Sequence, residues 1–324
     1  MKKMFFFNSA KFYILIFLSI VMGMSSSNFM SMWMSIEINF YSFLPILVTE
    51  NLFEAEKSIM TYFWIQSIAS TGIVMIILSM KIFSSEEFYT IMMFNFLFLK
   101  MAIFPFQFWM ISMIEKLSWF VTAFILSVQK FLPFILIASM MCLKNFFYII
   151  LINSIVAGVS GLKTFSMRKI MVFSSMNHFS IMLFSMTFSK KMTLLYILFY
   201  TLMNFMIYKP FKKMNMNFLF QTFSKKKAYS FLILIILLNM MGVPPFLGFV
   251  PKSMVFIFFL TKNMFFFSLF VLMSNTLSSF FYLRMLISSM TMNMNFMNSI
   301  HLKKDLKMFS VFLIFPFMMN FLML

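Results

Sequence analysis

About eleven stretches of mostly apolar residues, each long enough to cross a bilayer, follow one another through the chain with only short polar loops between them. No other feature constrains the fold as strongly, because a soluble chain must keep polar and charged surface toward water. Here 62% of residues are hydrophobic and only 10% charged, against about 25% charged in ordinary soluble domains. The solvent for most of this chain is therefore lipid.

The stretches predict spans near 5–23, 28–47, 58–80, 88–105, 118–140, 146–162, 169–188, 192–208, 229–262, 264–287 and 306–323. The expected fold is all-α, a polytopic membrane helix bundle in which residues 1–324 form a single membrane domain. Lys2 and Lys3 followed by an apolar run could open a signal peptide, but no small-residue cleavage pattern follows, so the run is read as a retained first helix. The ninth span is too long for one straight helix. It is interrupted at Gly242, Val243, Pro244 and Pro245, then at Gly248 and Pro251. Proline removes a backbone donor, and a broken helix is tolerated at membrane depth only where protein or water satisfies the freed groups. The fourth span ends similarly at Pro105, and the fifth carries Pro133.

Eleven spans place eighteen lysines and arginines on the N-terminal side and five on the other, leaving Lys100, Lys130 and Lys252 inside spans. The basic-rich side faces cytoplasm or matrix. The net charge of +18 thus sits in short loops where topology accounts for it, and no nucleic-acid partner is expected. One cysteine, two histidines and six glycines offer too few ligands for a zinc site or an iron–sulfur cluster and no phosphate-cradling loop. No metal, nucleotide or redox centre is expected on the chain itself. The 53 phenylalanines, the 41 methionines and the preference for lysine over arginine suit an A- and T-rich mitochondrial gene.

Four ionisable residues fall deep in these spans: Glu37, Lys100, Lys130 and Lys252. Lys130 lies twelve residues into its span, about 18 Å at 1.5 Å per residue. Each such group costs at least about 2.5–3.5 kcal/mol on insertion scales, and such groups mark ion or proton paths. Burial disfavours the charged form of a lysine, and a neighbouring carboxylate favours it. At about 4 Å and an effective dielectric near 20 the attraction is about 4 kcal/mol. Moving Glu37 toward or away from Lys100 would therefore load or unload a proton, with Lys130 and Lys252 passing it on. Ser174, Ser175, Asn177 and His178 form a polar stretch in the seventh span. It reads equally as a relay or as interhelical hydrogen bonding.

Several segments in order carry a resemblance. They are Trp33 to Asn39, Leu99 to Met101 with Pro105 to Trp109, Gln129 and Lys130 with Pro133, Met167 to Lys169 with Ser174 to His178, and Gly242 to Phe249 with Pro251 and Lys252. Together they resemble the subunit 2 family of mitochondrial NADH:ubiquinone oxidoreductase, the antiporter-like, proton-pumping membrane subunits of respiratory complex I. The resemblance covers nearly the whole chain. It departs at Gln107, where the family has histidine, at Ile111, and at Ser180 and Ile181.

The resemblance implies an N-terminally shortened inverted-repeat fold with two discontinuous helices and a proton axis of Glu37, Lys100, Lys130 and Lys252. It implies a place among other membrane subunits of the complex in the mitochondrial inner membrane, with the N-terminus in the matrix. The chain would then be part of an enzyme, the proton-translocating NADH:ubiquinone reductase, with NADH, FMN, iron–sulfur clusters and ubiquinone held by other subunits. The alternative is an independent cation/proton antiporter, for which the same axis would serve.

Overall fold

A computed structural model describes residues 2–49, 55–80, 86–140, 146–219 and 227–291. They form thirteen helices; among them there is no strand, only one isolated antiparallel bridge between Ser166 and Phe218. The expected span 306–323 lies outside the described residues. The chain divides into two compact units, Met1–Phe146 and Phe147–Leu324.

The first unit holds α1 (Lys2–Ser25), α2 (Phe29–Val48), α3 (Ala55–Ser79), α4 (Glu86–Met101), α5 (Phe108–Ile114), α6 (Trp119–Leu126) and α7 (Val128–Ser139). Helix α2 packs on α1, α3 and α7, and α4 packs on α3 and α7. Gly23 lets α1 approach closely, since a Cβ there would stand 2.3 Å from Leu132 and 2.8 Å from the Ser35 hydroxyl.

The second unit holds α8 (Phe147–Lys163), α9 (Met167–Met186), α10 (Lys190–Met214), α11 (Lys227–Met241), α12 (Phe249–Thr261) and α13 (Phe265–Thr291). Helix α9 is buried on every side from Ile170 to Met186 and is the centre of this unit. A helix enclosed all round is normally apolar all round; this one carries Ser174, Ser175, Asn177, His178, Ser180 and Ser185. Gly158 and Gly161 on α8 admit α13, with Leu277 and Phe281 seated against them.

Among the described residues, four stretches are long and apolar enough to cross a membrane: 56–79, 119–139, 190–214 and 265–287. Outward faces carry large apolar side chains such as Ile14, Phe17, Met75 and Met273, as lipid contact requires.

Two helix breaks share one backbone design. Helix α4 ends as Ile103 N–H donates to Phe98 O (3.0 Å) and Ala102 N–H to Leu99 O (3.3 Å); Phe106 N–H then donates to Ile103 O (2.8 Å). Helix α11 ends as Val243 N–H donates to Leu238 O (3.4 Å) and Gly242 N–H to Asn239 O (3.2 Å); Phe246 N–H then donates to Val243 O (2.9 Å). Both are Schellman endings. The left-handed position is Gly242 (φ 81°) in one and Ala102 (φ 56°) in the other. Alanine there costs about 1–2 kcal/mol, so the fourth-span break is held against local preference.

Pro105 lies in the turn between α4 and α5, joined to Phe104 by a cis peptide. Pro244 and Pro245 fill the turn between α11 and α12, and Gly248 is the N-cap of α12. Pro251 sits in the first turn of α12 rather than in the gap, where a missing N–H costs nothing.

A third discontinuity differs from the single helix expected over 118–140. The chain forms α6 and α7, separated at Ser127 (φ −118°, ψ −74°). The Ser127 hydroxyl donates to Ala123 O (2.6 Å), a back-bond of the kind that bends helices. Six residues on, Pro133 cannot donate to Gln129 O.

Candidate functional site

The three lysines predicted to lie at depth all sit at helix discontinuities. Lys100 is in the last turn of α4, Lys130 follows the Ser127 break, and Lys252 follows the α11–α12 break. Their exposures are 5%, 2% and 5%, so none extends to water by snorkelling.

In the first unit, Glu37 on α2 is half-buried and its charge acts on Lys100. The two do not join in a hydrogen-bonded pair, because Lys100 Nζ has no hydrogen-bond partner, nor does Glu37 Oε2. A small cavity of about 10 Å³ opens beside Lys100. Ile36, Asn39, Phe40, Tyr62, Gln66, Gln129, Leu132 and Pro133 complete its lining. That volume is about what one water needs.

The cavity wall is rich in polar groups. Tyr62 Oη donates to Gln129 Oε1 (3.2 Å) and Gln66 Nε2 to Lys100 O (3.2 Å). Gln129 Nε2 and both side-chain ends of Asn39 remain without partners. Buried polar groups are otherwise almost always paired, so this concentration of open donors and acceptors marks a place built to hold something polar. Two carbonyls in the last turn of α4 meet side-chain donors: Gln66 Nε2 donates to Lys100 O, and Trp109 Nε1 donates to Leu99 O (3.2 Å).

In the second unit the last carbonyls of α11 meet the lysine itself. Lys252 Nζ donates to Met240 O (3.2 Å) and Met241 O (2.9 Å). A cation is favoured there by the negative end of the helix dipole, and the two orphan carbonyls gain a donor. The gap is fastened by Gly248 N–H donating to Asn239 Oδ1 (2.6 Å). Gly242 leaves room for the lysine stem, since a Cβ there would lie 2.9 Å from Lys252 Cδ.

The polar stretch of α9 divides. Asn177 Nδ2 donates to Ser274 O on α13 (2.9 Å), an interhelical tie. His178 lies within electrostatic reach of Lys252. Its Nδ1 is 3.0 Å from Tyr196 Oη on α10, the donor being set by the imidazole tautomer, and its Nε2 has no hydrogen-bond partner. Tyr200 Oη is placed beside Ser175 and Asn204, and Tyr282 Oη beside Ser174. Ser174 and Ser175 themselves donate to Met171 O and Val172 O (2.8 and 2.7 Å).

Sequence reasoning passed over the uncharged members: Asn39, Tyr62, Gln66, Tyr196, Tyr200, Asn204, Asn239 and Tyr282. The available signal was an amide or phenol inside an apolar run, which is costly unless hydrogen-bonded. Among the described residues no three His, Cys, Asp or Glu side chains gather as a metal site would require.

A helical membrane bundle with paired helix breaks and lysines buried beside them defines an antiporter-like membrane protein. The family model described as the transmembrane region of NADH:quinone oxidoreductase/Mrp antiporter proteins matches residues 26–278, and the chain belongs to that family. It is 33% identical over 203 residues to NADH-ubiquinone oxidoreductase chain 2 of Anopheles gambiae, a match that covers 60% of this chain and 59% of that one. The chain thus spans about three fifths of the length of that relative.

Among solved structures it is similar to a chain of respiratory complex I from Thermus thermophilus, with a TM-score of 0.75 at 16% identity, covering 87% of this chain and 70% of that one. It is also similar to a chain of an archaeal membrane-bound sulfane sulfur reductase, with a TM-score of 0.75 at 13% identity, covering 95% and 70%. These two likenesses concern the fold.

Proposed function

We propose that this chain is a membrane subunit of respiratory complex I that carries protons across the mitochondrial inner membrane through Glu37, Lys100, Lys130 and Lys252. Its partners are the neighbouring membrane subunits. Electron transfer from NADH to ubiquinone, with its FMN and iron–sulfur clusters, belongs to other subunits of the complex. On this reading the basic-rich loops and the N-terminus face the matrix. The observation that carries the proposal is the burial of three lysines at three helix discontinuities. Hydrocarbon tolerates such charges where water or protein dipoles serve them, and broken backbone supplies both.

The chemistry follows from the first unit. With its proton, Lys100 is favoured by the charge of Glu37. A water in the cavity can take that proton and hand it toward Gln129 and Lys130, since the cavity is lined by both Lys100 and Gln129. Lys252 carries a later step in the second unit, where the α11 carbonyls stabilise its charged form.

Lys130→Met in the assembled complex, reconstituted in vesicles, is expected to lower protons pumped per NADH oxidised by at least about twofold. Undiminished pumping would overturn the proposal. Glu37→Gln removes the charge that favours protonated Lys100, and proton uptake is expected to fall by a smaller factor, measured in the same vesicles. An independent antiporter would instead exchange cations for protons when the purified chain alone is placed in vesicles.

A further inference from the structure

Helix α3 reaches two of the three helix discontinuities with two side chains one turn apart. Tyr62 and Gln66 are spaced i, i+4 and so share one face of α3. From that face Tyr62 Oη donates to Gln129 Oε1 on α7 (3.2 Å), just past the Ser127 break. Gln66 Nε2 donates to Lys100 O in the last turn of α4 (3.2 Å). Both side chains are buried, at 2% and 7% exposure. The Tyr62 ring lies against Phe43, Phe40 and Trp109, with centroids 5.6, 5.9 and 6.4 Å away. Its hydroxyl is therefore fixed in position.

The two lysine-bearing helix ends differ in what meets their carbonyls. A lysine beside a helix C-terminus commonly takes the last carbonyls, and Lys252 does so at α11. At α4 the side chains of Gln66 and Trp109 take two of them instead. Lys100 Nζ, in that same turn, keeps no hydrogen-bond partner. It stays available to the cavity that Lys100 lines.

The Gln129 amide faces the same choice. Its oxygen can only accept and its NH2 group can only donate. With the oxygen engaged by Tyr62, the open end is Nε2, which has no partner. Gln129, Asn39 and Lys100 line one cavity with room for about one water. A water there accepts from Gln129 Nε2, donates to Asn39 Oδ1, and keeps its second lone pair for the Lys100 proton. Were the amide turned over, its oxygen would accept from the Lys100 ammonium and hold the proton where it is.

We propose that Tyr62 is a positioning residue for proton handover from Lys100: its hydroxyl fixes the Gln129 amide so that the NH2 end, not the carbonyl, meets the water beside the lysine. The lysine N–H bond breaks as its proton joins the water, and one of the water's own protons passes on toward neutral Lys130. The water ends neutral, and the net change is one proton moved from Lys100 to Lys130. Tyr62 itself gives up no proton. The assignment rests on the reading of the chain as a proton-pumping subunit and adds to it the group that sets the direction of the hydrogen bonds at this step.

The test is a double-mutant cycle on protons pumped per NADH oxidised, in the assembled complex in vesicles. Tyr62→Phe keeps the ring and removes only the hydroxyl, and the ratio is expected to fall at least about twofold. Gln129→Met is expected to lower it at least as far. Because Tyr62 acts through Gln129, adding Tyr62→Phe to Gln129→Met should lower it no further, as coupled residues are not additive. A further fall gives the hydroxyl a role of its own and overturns the assignment. Normal pumping by either single variant, or failure of Tyr62→Phe to assemble, overturns it as well. Lys130→Met is measured beside them. If it lowers the ratio while the cycle fails, the pumping subunit stands without this role for Tyr62. If Lys130→Met also leaves the ratio unchanged, the reading beneath both falls.

Discussion

Lys252→Met is expected to leave the protein folded and assembled while lowering protons pumped per NADH about tenfold or more. Two opposing effects decide the first half. Removing the ammonium orphans the carbonyls of Met240 and Met241, at about 1–3 kcal/mol each. It also relieves the cost of holding a charge at depth, about 2.5–3.5 kcal/mol on insertion scales. These largely cancel, and their mid-values leave a net destabilisation of about 1 kcal/mol. The functional effect has no such offset, because methionine matches the stem and carries no proton. Lys252→Arg separates the roles: it keeps donors for both carbonyls but cannot give up its proton, so it too should assemble without pumping. Thermal unfolding of the complex checks the first half and vesicle acidification the second. Normal pumping by assembled Lys252→Met would remove the lysine from the proton path.

The charged residues of the site were legible in the sequence because a lysine in an apolar run is expensive and therefore conspicuous. Lys100, Lys130, Lys252 and Glu37 declare themselves in this way. The breaks near Pro105 and Pro244 were legible for a related reason, since proline lacks the donor a helix needs. The break at Ser127 was not, because serine is compatible with a helix and its back-bond to Ala123 is decided by the surroundings. Nor was the left-handed Ala102, because alanine is the best helix former and only tertiary packing holds it there. The tyrosines were hidden for another reason. In a chain with 53 phenylalanines and ten tyrosines, any phenol looks like one more core ring. Only the packing of α9 against α10 shows that Tyr196 and Tyr200 converge on one histidine.

Gly248→Ala is expected to be the most destructive glycine-to-alanine substitution in the chain, its added Cβ making the closest approach of the six. Gly248 has φ −66°, so no backbone strain demands glycine there; the demand is for space. A Cβ would stand 1.7 Å from the Asn239 carbonyl oxygen and 2.9 Å from its carbon. Both atoms are backbone at the end of α11, so no side-chain rotation relieves the clash. The turn must open, and opening it breaks the bond from Gly248 N–H to Asn239 Oδ1. Overpacking costs about 1–3 kcal/mol, and the buried amide left unpaired adds about 1–3 kcal/mol. The displaced end of α11 also carries the two carbonyls that hold Lys252, so pumping should fail along with stability.

Gly161→Ala is the control. The nearest atoms to its Cβ are in the Phe281 ring at 3.0 Å, followed by the Phe173 Cβ at 3.5 Å, and a ring can give by a few tenths of an ångström. Gly161→Ala should therefore assemble and pump, with a destabilisation below about 1.5 kcal/mol. Gly248→Ala should yield little assembled complex, or a complex that unfolds at a markedly lower temperature. Equal stability of the two variants would mean that the close approach of α12 to the end of α11 is not what shapes the break, and with it the argument for where Lys252 is held would fail.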